Sequence, residues 1–226
     1  MKARITIPDN LSELSLVQYQ DFLKKSENLE GEDLNVQMLS SFCAVDKDIV
    51  KAFKASDVNE FSTILNNMFN SDYPFYPKFK IDGVEFGFIP DLEDMSFGEY
   101  VDLDSYISDW SKMHKAMAIL YRPITKKYKN KYEIEKYEGS DKYSEVMKLM
   151  PLSCAFGSVV FFYRLGNDLL KAIPQFLEKQ MKELTEISPN KANSISNGVG
   201  TEQFTNLLKE MSGDLTKLLQ LDWQQP

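Results

Sequence analysis

Residues 76–124, YPKFKIDGVEFGFIPDLEDMSFGEYVDLDSYISDWSKMHKAMAILYRPI, hold the clearest hairpin signal of the chain, its densest acidic run, its lone histidine and its sharpest helix stop. Asp82-Gly83 suits the positive φ angles of a type I′ turn, so Lys78–Ile81 and Val84–Ile89 are expected to pair as a β-hairpin. Alternation puts Phe79 and Ile81 on one face, with Val84, Phe86 and Phe88 on one face of the second strand. A two-stranded hairpin is unstable alone in water, so this aromatic face needs cover. From Asp82 to Asp109 there are nine acids and no lysine or arginine, whereas Lys112–Lys131 holds seven bases and no acid. Asp104 is expected to cap a single helix carrying Tyr106, Ile107, Trp110, Met113, Met117, Leu120 and Tyr121, its acidic start and basic end matching the helix dipole. Arg122-Pro123 stops it, because a residue before proline is pushed out of helical geometry.

Upstream, Arg4–Ile7 alternates up to Pro8 and reads as a short strand or extended lead-in. Ser15 with Gln18 forms a capping box for a helix over Val17–Lys25, and Ser26–Asp33 reads as a loop. Leu34–Cys43 marks a second helix. Asp46 and Asp57 are placed as caps for two more, one through Ile49, Val50 and Phe53, the other from Val58 to Phe69. Helices of about ten residues are marginal alone, so these four are expected to pack on one another.

Downstream, the lysine- and tyrosine-rich stretch 126–143 reads as an exposed loop with a strand at Tyr132–Ile134. A helix over Ser144–Met150 breaks at Pro151, and an apolar helix, the marker of a buried element, runs from Leu152 to Leu170. An amphipathic continuation reaches Ile187. Residues 188–200, SPNKANSISNGVG, read as a linker to a C-terminal amphipathic helix whose stripe is Phe204, Leu207, Leu208, Met211, Leu215 and Leu218. That helix either folds back on its own domain or lies in a partner's groove. The expected fold is therefore mainly α (α+β): a helical bundle with a small β-hairpin at 78–89 and a long buried helix, forming one domain over 1–187, followed by the linker and the 201–226 helix.

Thirty-four acids against 26 bases give a net charge of -8, which disfavours broad nucleic-acid binding. No signal peptide or membrane insertion is expected, since the most apolar run, Pro151–Tyr163, is too short for a span. Cys43 and Cys154 lack CxxC spacing and read as buried reduced thiols. A lone histidine cannot build a histidine-rich metal centre, and His114 reads as a half-buried helix residue rather than a general base. Asp91–Asp102 fails as a calcium loop because Gly98 stands at the eighth position rather than the sixth. No Walker, dinucleotide-binding or nucleophile-elbow glycine motif is present. Neither enzyme activity nor a cofactor is expected. Only convergence of His114, Tyr121 and Arg122 on a deep polar pocket would reopen catalysis. The acidic face formed by Asp91, Glu93, Asp94, Glu99, Asp102 and Asp104, and the stripe from Phe204 to Leu218, are the expected partner-binding residues.

The segments ITIPDNLSELSLVQYQDFLK (5–24), NVQMLSSFCAVDKDIVKAF (35–53) and SDVNEFSTILNNMF (56–69) resemble the layout of small tail assembly chaperones of tailed bacteriophages. MHKAMAILYRPI (113–124) is similar to a segment of uncharacterised phage proteins. The resemblance implies a non-catalytic binding protein that keeps the tape-measure protein or tail-tube subunits soluble until assembly. Its partners would be other phage structural or assembly proteins, or a second copy of itself, met in the host cytoplasm. Neither membrane nor nucleic acid is expected among them. The alternatives are a permanent virion component such as a neck or connector subunit, and an acidic host-directed inhibitor or DNA mimic. The many apolar residues among the acids, Leu92 to Leu103, argue against the last.

Overall fold

The computed structural model describes residues 5–129 and 131–165. The chain divides into two units between Ser158 and Val159. In the second, residues 159–165 are helical. The continuation to Ile187, the linker at 188–200 and the helix at 201–226 lie outside the described residues.

The first unit is mainly helical, with one small antiparallel sheet. Its opening helices are α1 (Leu16–Ser26), α2 (Gly31–Phe42), α3 (Lys47–Lys51) and α4 (Ala55–Phe69). The capping box at α1 forms as read: the Ser15 N–H donates to Gln18 Oε1 at 2.9 Å and the Ser15 hydroxyl to the same oxygen at 3.0 Å. Two boundaries differ from the sequence reading. α2 starts inside the supposed loop, because Gly31 takes φ +56° and turns the chain into a first turn whose Glu32 and Asp33 suit the dipole. α4 is capped at Lys54, and Asp57 lies within its first turn instead of before it.

The apolar stripes of these helices meet in an aromatic cluster. Tyr19 stands 5.0 Å from Trp110 and 5.2 Å from Phe156 between ring centres, Trp110 and Phe156 are 4.8 Å apart, and Phe42 joins Phe22 at 4.8 Å and Phe69 at 5.2 Å. Edge-to-face and tilted geometries suit the ring quadrupoles and add to the area they bury. Residues 5–9 form no strand; the chain's early pairing comes later, where Ser15 bridges Pro151 and Leu16 N–H donates to Met150 O at 3.0 Å.

The hairpin forms as β1 (Lys78–Ile81) and β2 (Val84–Phe88), with Asp82 at φ +47° and Gly83 at φ +81°. It is half of a larger sheet. After α5 (Phe97–Ile107) and α6 (Met113–Leu120) come β3 (Tyr121–Tyr128) and β4 (Lys131–Ile134), giving the order β1-β2-β3-β4. Pro123 occupies an inner strand, where a missing N–H should break the ladder. β3 avoids the loss by pairing with β2 through Tyr121–Pro123 and with β4 from Ile124 onward, with a register shift between Ile124 and Lys126. Gly87 is glycine for a steric reason: a Cβ there would stand 2.4 Å from the Tyr132 ring, which crosses from β4 so that its hydroxyl donates to Phe88 O at 2.9 Å.

The single helix expected from Asp104 to Tyr121 is two helices. Asp104 lies inside α5, and the break falls at Asp109, whose carboxylate accepts from the Ser111 N–H at 2.9 Å and hydroxyl at 2.7 Å and so caps a 3₁₀ turn at Trp110–Lys112. α6 is then almost wholly buried and runs without a loop into β3. α7 (Asp141–Met147) precedes the expected break at Pro151, and the buried helix resumes with residues 152–158 all enclosed. The two cysteines are free; Cys154 is buried, whereas Cys43 is only half-buried. Burial raises each thiol to about 11.

Candidate protein-binding face

The acidic stretch folds into a 3₁₀ turn (Leu92–Asp94) followed by α5. Asp91 caps the turn, its carboxylate accepting from the Glu93 N–H at 3.0 Å. Ser96 and Glu99 then form a reciprocal box: Glu99 Oε2 accepts from the Ser96 N–H at 2.7 Å, and Ser96 Oγ accepts from the Glu99 N–H at 3.3 Å. This box fixes Phe97 as the first helical residue and sets the rotation of everything after it. Glu99, Leu103 and Ile107 point inward, while Phe97, Val101 and Asp104 form the outer stripe. Phe97 is 81% exposed and Val101 43%.

The expected acidic set therefore separates. Asp91, Glu93, Asp94 and Asp104 are exposed, and among the described residues none of them makes an ion pair. Asp102 is half-buried and accepts a hydrogen bond from the Tyr137 hydroxyl. Burial first, and the Asp102 charge after it, push that phenol above its ordinary pKa. Glu99, only 6% exposed, does not belong to the outer face: it is paired with Arg122 of β3, which is equally buried. Burial alone would raise the Glu99 carboxyl, but the hydrogen bonds from Ser96 and the Arg122 guanidinium outweigh it and hold the group below the usual carboxylate range. The guanidinium also lies 5.6 Å from the centre of the Tyr137 ring. The stripe from Phe204 to Leu218 lies outside the described residues.

His114, Tyr121 and Arg122 do not converge. His114 Nδ1 is 3.0 Å from Gln20 Nε2, the Tyr121 hydroxyl is held by Tyr76 O (2.7 Å) and Ser158 Oγ (2.9 Å), and Arg122 is held by Glu99. Among the described residues, no group of three or more His, Cys, Asp or Glu side chains is placed to hold a metal, and no helix is long and apolar enough to cross a membrane.

Phe97 is the residue that sequence reading passed over, because it was counted with the apolar mass of the segment. The signal was present in Ser96-Phe97-Gly98-Glu99, since a capping box fixes helix phase and, with it, which residues face outward. Comparison of the chain with protein-family models, curated proteins and solved structures gives no match.

Proposed function

We propose that this chain is a non-catalytic phage assembly protein, a tail assembly chaperone or adaptor that holds tape-measure or tail-tube proteins through an apolar anchor set in an acidic frame. The observation that carries the reading is Phe97, an aromatic ring 81% exposed at the head of α5, beside Val101 and bordered by Asp91, Glu93, Asp94 and Asp104. Phe97 and Val101 stand one helical turn apart as an exposed apolar pair, and a central aromatic with a polar rim is the usual anatomy of an interface hot spot. The unpaired carboxylates select a basic partner, so the expected occupant is an amphipathic helix with lysine or arginine flanking its apolar stripe.

Co-expression of the full chain with individual tail proteins tests this. A complex that survives size exclusion and is lost in Phe97→Asp, while the variant keeps its helical circular dichroism, supports the reading. Failure to retain any tail protein, or a complex indifferent to Phe97→Asp, overturns it. Mass spectrometry of purified particles separates the chaperone from the permanent virion component: a transient chaperone is absent, and stoichiometric recovery makes the chain part of the particle.

A further inference from the structure

The sheet ends in β1 on one side and β4 on the other, and the two edges are built differently. Backbone groups alternate direction along a strand, so only every second residue of an edge offers its N–H and C=O to the outside. At β1 the Phe88 N–H donates to Pro77 O at 2.9 Å, which turns Pro77 and, by parity, Phe79 and Ile81 toward β2. The outward residues are Lys78 and Lys80. A second β1 laid antiparallel against them would set lysine opposite lysine, whether the twofold axis fell on Phe79 or on Lys80. Edge lysines of this kind guard a sheet against strand addition.

β4 lacks that guard. The Glu135 N–H donates to Pro123 O at 2.9 Å, so Glu133 and Lys131 share its inward direction, while Tyr132 and Ile134 turn their N–H and C=O outward. Among the described residues those outward groups have no hydrogen-bond partner. Tyr132 is itself fixed in place, since its hydroxyl donates to Phe88 O at 2.9 Å. The charges on either side of it are opposite: Lys131 precedes it and Glu133 follows it, both exposed. Among the described residues Lys131 forms no ion pair, and Glu133 pairs with Lys126 at 3.2 Å on an exposed surface. We propose that β4 is a self-pairing edge, by which two copies of the chain join antiparallel about a twofold axis through Tyr132. The two Tyr132 residues exchange N–H to C=O bonds, Lys131 of each copy stands opposite Glu133 of the other, and two four-stranded sheets become one of eight strands. Moving the axis to Glu133 opposes that residue to itself, and moving it to Ile134 opposes Glu133 to Glu135, so charge selects the register. The contact uses none of the α5 residues and does not rest on the assembly role.

Sedimentation velocity of the full chain from about 1 to 500 μM tests the edge, since an interface made by one short strand pair belongs to the weak, micromolar end of association. A monomer–dimer equilibrium is expected. Lys131→Glu and Glu133→Lys each set like charges opposite one another twice across the axis, and each is expected to weaken the dimer at least about tenfold. Both positions are exposed, so neither change reaches the core. Mixed in equal amounts, the two variants are complementary again at both crossings, and they are expected to associate with each other about as tightly as the unaltered chain does with itself. A chain that stays monomeric throughout, a dimer that survives either charge reversal, or a mixture of the two variants that stays monomeric overturns the proposal.

Discussion

Arg122 carries a charge at a position that is 6% exposed, which stabilises the fold only while Glu99 is ionised opposite it. Removing one member of a buried pair strands the other. Arg122→Met is therefore expected to lower unfolding free energy by about 3–5 kcal/mol, and Glu99→Leu combined with Arg122→Met to recover much of that loss, both read by urea melts. His114 gives a separate pH signature. Burial, followed by the positive charges of Lys148 and Lys115, holds its pKa below the ordinary 6.5. Nδ1 accepts from Gln20, so protonation would set donor against donor. Below pH 6.5 the unfolded chain takes up a proton that the folded chain resists, so stability should decline from there until the folded pKa is passed. His114→Gln is expected to flatten that part of a melting-temperature profile taken from about pH 7.5 to 5. The hairpin turn was legible in the sequence because Asp82-Gly83 states its backbone angles locally. The burial of Glu99 was not, since its partner lies 23 residues away and nothing nearby in the sequence names it.

Among elements, the reading succeeded where a cap or breaker acts within one turn and failed where a contact outside the segment decides. The α1 box, the end of α6 before Arg122-Pro123 and the break at Pro151 are of the first kind. The division between α5 and α6 is of the mixed kind: Ser108-Asp109 offers a cap, but the apolar residues on both sides keep helical spacing and disguise the interruption. The segment joining α4 to β1 is placed by contacts outside itself. Its Pro74 carbonyl lies against Gly157, where an added Cβ would stand 2.2 Å from the oxygen, and its Tyr73 ring stacks on Phe156 at 4.9 Å. Gly157→Ala should force the two apart and destabilise by about 1–3 kcal/mol in thermal melts. Gly157→Ala should also loosen the Tyr121 hydroxyl bond to Tyr76 O, which shares that packing.

At the scale of the molecule, the fold class was readable because ten-residue amphipathic helices and a two-residue turn leave few other arrangements. The sheet's full extent was not, because β3 carries lysines and a proline that read as a helix stop and loop, which left the strand read at Tyr132–Ile134 without its partner. The proposed partner surface follows the same division, its acids plain in the sequence and its aromatic centre visible only once α5 has a rotation. Under the assembly role proposed above, Phe97→Asp is expected to lower the yield of complete tails while leaving expression unchanged, as counted by electron microscopy. The seam between β2 and β3 also sets a timetable. β1 meets β2 across a two-residue turn, whereas Phe88 meets Tyr121 only after α5 and α6 have brought the chain around. Contacts close in sequence form first and distant ones wait for the intervening chain. In pulsed hydrogen exchange during refolding, the amides of β1 and β2 facing each other should gain protection before those shared with β3, leaving the centre of the finished sheet as its last part to close.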